Sequence, residues 1–290
     1  MSTSFRYVIA DVFSDVPLAG NQLCVFTDAR EIPEPLLQPL AREINFSETV
    51  FVYPARAGGH ALIRIFTPVS EISFAGHPVL GTAFVLAGPM QLVEIHLETG
   101  MGVIPVVLDR VEARITFGRM VQPVPTVAPY AAASELLDAL GVERSELPVE
   151  RYDNGIPNVY VVLGSEAEVA ALRPDLGMLE HLARCDDPIV GFNCLAGTGT
   201  RWKTRMFAPA DGVPEDPATG SAAGPLAWHL ARHGRIPFGV QIEISQGAEI
   251  GRPSTLYARV EGSPERLDRV EVGGSAVIVS RGEFRLPGPF

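Results

Sequence analysis

Short apolar runs separated by turn-forming residues dominate the first half of the chain, and this pattern predicts mainly β-strands. Two segments differ because their apolar residues recur at helical spacing, which predicts helices over 33–44 and 79–87. Pro39 weakens the first helix, since proline lacks the N–H that an interior helical position donates. The strands predicted in this half cover 7–13, 23–27, 49–53, 60–66, 92–98, 103–108 and 111–117.

The second half repeats this mixture of strands and short helices. Helices are predicted over 133–140, where Gly141 provides the stop, and over 166–172 and 178–184. Strands outnumber helices, so each half is expected to form a curled, mostly antiparallel sheet around a central helix, an α+β fold. The strands predicted in this half cover 159–163, 187–195, 200–207, 240–250, 255–260, 270–279 and 283–286.

A proline-rich segment, 121–130, separates the two halves and is the best candidate for a linker. The predicted lobes are therefore 1–121 and 122–290, and the last strand can return to the first lobe. A chain of 290 residues is long enough for two domains, each with its own core.

Three short motifs occur twice in the same order and at nearly the same spacing. The pattern R-x-F-x-P appears at 64–68 and 205–209, Leu-Ala-Arg at 40–42 and 182–184, and a glycine before a small-residue helix at Gly76 and Gly220. Such self-similarity predicts two similar halves. A pseudo-twofold arrangement would direct both helix N-termini into one cleft.

The segment 205–234 carries the densest chemistry: a short strand, a loop with Glu215 and Asp216, and a helix that opens at Gly220-Ser221 and stops at Gly234. Ser221 is a candidate N-cap. Exposed N–H groups at such a helix start favour an anionic ligand, and a carboxylate beside them can transfer protons. The alternative is a loop with two solvated acids before an ordinary helix.

Glu48 and His77 are the corresponding candidates in the first half. Glu48 follows a predicted helix end and precedes an apolar strand, so burial there would raise the pKa of its carboxyl toward neutrality. His77, next to Gly76, can donate a hydrogen bond or pass on a proton. The alternatives are an exposed acid in a turn and a histidine that only packs at a helix start.

The composition argues against several classes of partner and binding site. A formal net charge of −11 without a basic stripe argues against nucleic-acid and anionic-membrane partners. Cys24, Cys185 and Cys194 have no metal or disulfide spacing and are expected as buried, reduced thiols. The histidines lack metal-ligand spacing, so no metal site is predicted. No leader or membrane-spanning run is evident, and a cytoplasmic protein is expected.

The motifs resemble those of the PhzF phenazine-biosynthesis family, whose fold is that of diaminopimelate epimerase. They are G-N at 20–21, A-R-E-x-N-x-S-E at 41–48, R-I-F-T-P with F-A-G-H-P-x-L-G-T-A at 64–83, R-M-F-A-P with E-D-P-A-T-G-S-A-A-G-P-L-A at 205–227, and a long likeness through 242–262. The resemblance covers nearly the whole chain. It implies isomerisation of trans-2,3-dihydro-3-hydroxyanthranilate, without a cofactor, by a homodimer.

The resemblance also implies roles for single residues. Glu48 would take the proton from C3 of the substrate and return it at C1, while His77 and Asp216 would polarise the substrate and assist proton return. Diaminopimelate epimerase and proline racemase use two thiols, whereas 75–77 and 219–221 contain none, which argues against a two-thiol racemase. The residues expected to hold substrate are Asn21, Ser47, Gly76, Gly220 and Ser221.

Two alternatives to this isomerase stay open. One is a related cofactor-independent epimerase or isomerase of another small amino or hydroxy acid. The other is a non-catalytic binding protein with the same fold. Proton exchange between a bound substrate and solvent separates both enzymes from the binding protein.

Overall fold

The computed structural model describes residues 3–185 and 188–286, so the ends of the two predicted lobes, 1–2 and 287–290, lie outside the described residues. Within the described ranges, no helix combines the length and the apolar character that crossing a membrane requires.

The described chain forms two compact units. The first comprises 3–120 and 273–286, and the second comprises 121–185 and 188–272. The closing strand is thus part of the first unit. The boundary predicted between residues 121 and 122 stays a prediction about which segments can fold independently.

The first unit is a curled sheet with one helix at its centre. Its helices are α1 Leu37–Ile44 and α2 Gly76–Met90, with a 3₁₀ turn at Glu34–Leu36. Its strands are β1 Thr3–Val12, β2 Asn21–Phe26, β3 Glu48–Tyr53, β4 Ala61–Phe66, β5 Glu71–Ile72, β6 Glu94–Thr99, β7 Gly102–Val111, β8 Arg114–Val121 and, from the end of the chain, β18 Ala276–Leu286.

The central helix α2 is buried on every side over its first three turns. A helix that is apolar on every side is stable only when all its side chains are buried in a core, so the sheet must curl around it. Gly81 permits the close approach, because a Cβ at that position would collide with Leu23 and Val12 on the facing strands. The prediction of a helix enclosed by a sheet is confirmed for this unit.

The shorter helix α1 packs on the outside of the same sheet. Its apolar face, which includes Leu37 and Leu40, contacts a cluster that contains the stacked rings of Phe26 and Phe51. The helix ends at Asn45, whose left-handed backbone (φ 56°) turns the chain toward β3. This helix end is the one predicted just before Glu48.

The second unit is also built of a sheet and helices. Its helices are α3 Ala133–Leu140, α4 Glu166–Ala171, α5 Leu176–Ala183 and α6 Gly220–Arg232, with 3₁₀ turns at Pro209–Asp211 and Ala248–Ile250. Its strands are β9 Thr126–Pro129, β10 Glu150–Asp153, β11 Pro157–Val162, β12 Gly191–Thr198, β13 Arg201–Ala208, β14 Val213–Asp216, β15 Ile242–Gln246, β16 Ser254–Gly262 and β17 Leu267–Gly274.

Strand pairing shows that the two units share one topology. In the first, β2–β3 is parallel, β3–β4 antiparallel, β4–β6 parallel and β6–β7 antiparallel. In the second, β11–β12, β12–β13, β13–β15 and β15–β16 follow the same sequence of directions. The central helix comes before β6 in one and before β15 in the other. The prediction of two similar halves is confirmed.

The predicted linker 121–130 is wrong in its central part. Residues 126–129 form β9, which pairs antiparallel with β10. Pro129 is the last residue of that strand, where proline removes no interior ladder bond, so the prolines that suggested a linker are compatible with a strand. The expectation of three buried thiols is also wrong for Cys185, which is exposed, whereas Cys24 and Cys194 are buried.

The duplicated R-x-F motif builds the same interaction in both units. Arg64 pairs with Glu71 at 2.6 Å and lies 5.3 Å from the ring centre of Phe66. Arg205 pairs with Glu215 at 2.7 Å, with its guanidinium 5.1 Å from the ring of Phe207. Glu215 is therefore the partner of a structural arginine and is not free to act as a proton carrier.

The two ion pairs differ in burial, so we expect different losses of stability when the arginine is replaced. Arg205 is 5% exposed, and it also donates to the carbonyl of Leu172 at 2.9 Å. Arg205→Met would leave the Glu215 carboxylate buried and unpaired, which should lower the free energy of unfolding by about 3–5 kcal/mol. Arg64→Met should lower the free energy of unfolding by only about 1 kcal/mol, because the side chain of Arg64 is 25% exposed.

Urea unfolding measures this difference. Trp202 and Trp228 both belong to the second unit, so their fluorescence follows the unit that contains Arg205, while circular dichroism follows both. Equal losses for the two variants would contradict the role assigned to burial.

Candidate active site

Two of the predicted site residues of the first unit, Asn21 and Glu48, lie at the starts of neighbouring strands. Gly20 makes the preceding turn with φ 71°, and a Cβ there would collide with Val12 and Ser14, so only glycine fits. Asn21 then begins β2 and Glu48 begins β3. These strands run parallel, with Leu23 opposite Glu48, so both strand starts lie at one edge of the sheet.

His77 lies between these two side chains. Its Nδ1 is 3.2 Å from Nδ2 of Asn21, and its Nε2 is 3.4 Å from Oε2 of Glu48. When Nε2 carries the proton, Nδ1 accepts from the Asn21 amide and Nε2–H faces the carboxylate. One row of side chains thus runs from the buried amide of Asn21 through His77 to the carboxylate of Glu48, whose side chain is 16% exposed.

Burial keeps His77 neutral. The ring is 2% exposed, and the loss of hydration lowers the pKa of His77 from 6.5 to about 3, with a smaller opposing effect from a hydrogen bond to the Gln22 backbone. A neutral imidazole 3.4 Å from Glu48 adds no positive charge beside the carboxyl. The ring therefore does not favour the ionised form of that carboxyl over the protonated one through charge.

Gly76 and Ser47 lie next to this row. Gly76 is the first residue of α2, and within the described residues no side chain caps that helix start. Ser47 directly precedes Glu48 and is half-buried. The free N–H groups of an uncapped helix start attract a carboxylate ligand.

The second unit holds the remaining predicted residues at the start of α6. Asp216, at the end of β14, is 6% exposed and accepts a 2.6 Å hydrogen bond from Oγ1 of Thr219. Gly220 and Ser221 form the first turn of α6 and are buried. Ser221 is not the N-cap that was predicted. Thr219 takes that position, and its hydroxyl is used on Asp216.

Two buried side-chain amides donate hydrogen bonds to the first turn of this helix. Gln122 donates to the carbonyl of Gly220 at 2.8 Å, and Asn154 donates to that of Ser221 at 2.9 Å. The second bond has a specific cause, because Pro225 lacks the N–H that would otherwise reach the Ser221 carbonyl. The proline inside α6 is thus tolerated because Asn154 replaces the missing donor.

The two cysteines in the cores do not suit acid/base chemistry. Burial raises the pKa of the Cys24 thiol to about 12 and has the same effect on Cys194, also to about 12. A thiol with such a pKa stays protonated at neutral pH. This agrees with the absence of cysteine from the two motifs at 75–77 and 219–221.

A separate cluster of metal-type side chains lies at the other end of α6. Ligand atoms of Glu150, His229 and His233 lie within 4.8 Å of one another. Arg232 already pairs with the same carboxylate at 2.7 Å. Although burial opposes it, hydrogen bonds from His229, His233, Arg232 and Tyr152 hold the pKa of Glu150 well below its usual range. The Glu150 carboxylate is therefore already paired, and the absence of a metal centre stays a prediction.

A groove of about 540 Å³ in the second unit does not coincide with the predicted site. Its charged groups are Arg173 and the Arg205–Glu215 pair, and the latter two neutralise each other. A pocket of this kind has no free acid or base to offer a substrate, so it is not the candidate active site.

Sequence reasoning missed the side chains that support the named residues. Four side chains form hydrogen bonds to the loop or the helix start around Asp216: Thr219, Asn154, Gln122 and Gln246. Gln246 lies within the segment 242–262, which carries part of the family resemblance. The resemblance marked that segment without indicating a role for the glutamine.

Comparison with known proteins gives the family. A model of the PhzC-PhzF family, described as phenazine biosynthesis-like proteins, matches residues 10–282. The chain belongs to this family. A relative from Pseudomonas aeruginosa, named trans-2,3-dihydro-3-hydroxyanthranilate isomerase, is 50% identical over 97% of this chain and 99% of its own length.

Solved structures establish the PhzC-PhzF fold. A Bacillus anthracis phenazine biosynthesis protein of the PhzF family matches with a TM-score of 0.84 and 24% identity over 97% of this chain and 99% of its own. A probable proline racemase from Agrobacterium radiobacter matches with a TM-score of 0.68 and 12% identity over 96% of this chain and 92% of its own. The expected α+β fold, which this probable proline racemase shares, is confirmed.

The low pKa of His77 has a measurable consequence in this PhzC-PhzF member. Between pH 6.5 and about 3 the unfolded chain binds a proton at this position that the folded chain does not. This histidine therefore makes the free energy of unfolding rise with pH through that window and fall as the pH is lowered. We expect the Cε1 proton resonance of His77, assigned with His77→Gln, to stay constant from pH 8 to 5, with free imidazole as the titrating control.

The same linkage predicts a second result. His77→Gln should remove one proton from the pH dependence of unfolding in the window between 6.5 and about 3. A His77 resonance with a midpoint near 6.5 would show that the ring is hydrated and would contradict the neutral role assigned to it.

Proposed function

We propose that this protein is a trans-2,3-dihydro-3-hydroxyanthranilate isomerase of phenazine biosynthesis. The observation that carries the proposal is the 50% identity, over nearly the full length of both chains, to the Pseudomonas aeruginosa protein of that name. The row Asn21–His77–Glu48 supports it, because the reaction needs one carboxyl that takes up and returns a proton.

Glu48 is the proposed acid/base. As carboxylate it removes the proton from C3 of the substrate, and as carboxylic acid it returns that proton to C1, which gives the enol that tautomerises to the aminoketone. The half-buried position limits exchange with water while still leaving the carboxyl accessible. Neutral His77, whose Nε2 lies 3.4 Å from Oε2 of Glu48, stands beside the carboxyl without adding a charge.

The other predicted residues hold the substrate or assist proton return. Asp216 is proposed to bind the substrate by hydrogen bonding, as the family resemblance implies. The residues proposed to hold substrate are Asn21, Ser47, Gly76, Gly220 and Ser221.

The assembly and location are proposed on the same basis. We infer a cytoplasmic homodimer that works without a cofactor, as the family resemblance implies. The buried, protonated state of Cys24 and Cys194 supports a carboxylate mechanism over a two-thiol one. Light scattering of the purified protein measures the oligomeric state directly.

Replacement of Glu48 tests the mechanism. Glu48→Gln keeps the shape of the side chain but cannot carry a proton, so we expect kcat to fall by about 10²–10⁴-fold while KM changes little. Turnover is followed in deuterated water by the entry of deuterium into the ring and by the appearance of tricyclic product. Glu43→Gln, in the same motif but on the exposed face of α1, is the matched control and should retain activity.

Full activity of Glu48→Gln would exclude Glu48 as the proton carrier. A wild-type protein that exchanges deuterium into another small amino or hydroxy acid, but not into dihydro-hydroxyanthranilate, would point to the related epimerase or isomerase. Failure to exchange any candidate acid would favour a binding protein.

A further inference from the structure

The side-chain amide of Gln246 connects the last residue of β15 with the loop 216–219. Its Oε1 accepts from the backbone N–H of Thr219 at 3.1 Å, and its Nε2 donates to the backbone carbonyl of Asp216 at 2.8 Å. A backbone N–H can only donate, so this contact fixes which end of the amide is oxygen. The orientation of Gln246 is therefore determined by its neighbours.

The fixed amide sets the direction of the next hydrogen bond. Nε2 of Gln246 also donates to Oγ1 of Thr219 at 2.9 Å, so the hydroxyl oxygen acts as an acceptor toward Gln246. The single hydroxyl proton of Thr219 is then directed to Oδ2 of Asp216 at 2.6 Å. Oδ2 of Asp216 is therefore held as the acceptor of this hydrogen bond.

The turn after Gln246 is built for this contact. Gln246 is 2% exposed, and the next residue, Gly247, has φ 79°. A Cβ at Gly247 would collide with the backbone of Pro217 and Arg252. The turn thus packs directly on the loop that carries Asp216, and only glycine permits that approach.

We propose that Gln246 is a positioning residue for the isomerisation, which acts through the hydroxyl of Thr219 to hold Asp216 as a hydrogen-bond acceptor toward the substrate. This inference rests on the proposed function, since it assumes that Asp216 contacts the substrate. It assigns a role to a residue of the segment 242–262 that the resemblance alone left without one.

Isosteric variants test each step. Gln246→Met keeps the length of the side chain but cannot donate to Thr219, so nothing fixes the hydroxyl proton toward Asp216, and we expect kcat to fall by about 10–100-fold with KM within about threefold. Thr219→Val removes the hydroxyl at constant shape and should give a similar loss. Thr219→Ser restores the hydroxyl and should recover most of what Thr219→Val loses.

A double-mutant cycle separates positioning from general stability. If Gln246 acts through Thr219, then Gln246→Met lowers kcat in the wild-type background but by less than about twofold in the Thr219→Val background. Independent structural damage would instead multiply the two losses, and that result would overturn the proposal. Asn193→Leu, which removes a buried amide elsewhere in the second unit, is the matched control and should lower stability without lowering kcat.

A measurement without substrate keeps this proposal distinct from the proposed function. In protein with ¹³C-labelled aspartate carboxyls, the Asp216 resonance, assigned with Asp216→Asn, should shift in Gln246→Met and Thr219→Val but not in Asn193→Leu. If the wild type shows these shifts yet does not turn over dihydro-hydroxyanthranilate, the proposed function fails and the hydrogen-bond chain stands. An unchanged resonance in Thr219→Val, which alters only two atoms and should fold, would overturn the chain itself.

Discussion

Burial of the two central helices, over the first three turns of α2 and over α6 up to Ala231, is the constraint on which the rest of the structure depends. Buried backbone N–H and C=O groups need a partner in the protein or in a ligand. In α6 this demand is met by amides from distant strands and loops, including Asn154, which replaces the bond lost at Pro225. The N–H groups of the first turn stay available because no side chain of the N-cap residue caps them within the described chain.

Burial also decides the chemistry that the first unit can support. The desolvation that makes α2 a core helix extends to His77 in its first turn and lowers the pKa of that ring to about 3. A charged imidazole would bind Glu48 as an ion pair and favour the carboxylate, which suits a base but not an acid that must regain its proton. A neutral ring avoids that bias, so one carboxyl can serve in both steps. The same packing that stabilises the unit therefore suits Glu48 to a reversible proton transfer.

The sequence predicted what depends on local pattern. The position of Glu48 between the end of α1 and β3 follows from apolar spacing and from Asn45, and the repeat of R-x-F-x-P indicated two similar halves. It did not predict β9, because prolines at strand ends look the same as prolines in a linker. Nor did it predict the Gln246–Thr219–Asp216 chain, because Gln246 lies 27 residues from Thr219 in sequence and reaches it from the end of β15, a strand that pairs with β13.

The topology shared by the two units shows which features the duplicated scaffold keeps and which it does not. The arginine–glutamate pair occurs in both units, at Arg64 and Arg205, because in each unit the strand that carries the arginine pairs with a short strand that carries the glutamate. The acids do not recur. Gly191 occupies the strand start that corresponds to Glu48, since it begins β12 as Glu48 begins β3, and Ile72 pairs with Ile65 as Asp216 pairs with Met206. A repeated fold thus supplies two helix starts, whereas the proposed proton carrier, Glu48, has a glycine at the equivalent position of the second unit, which suits an isomerase that moves one proton better than a two-base racemase.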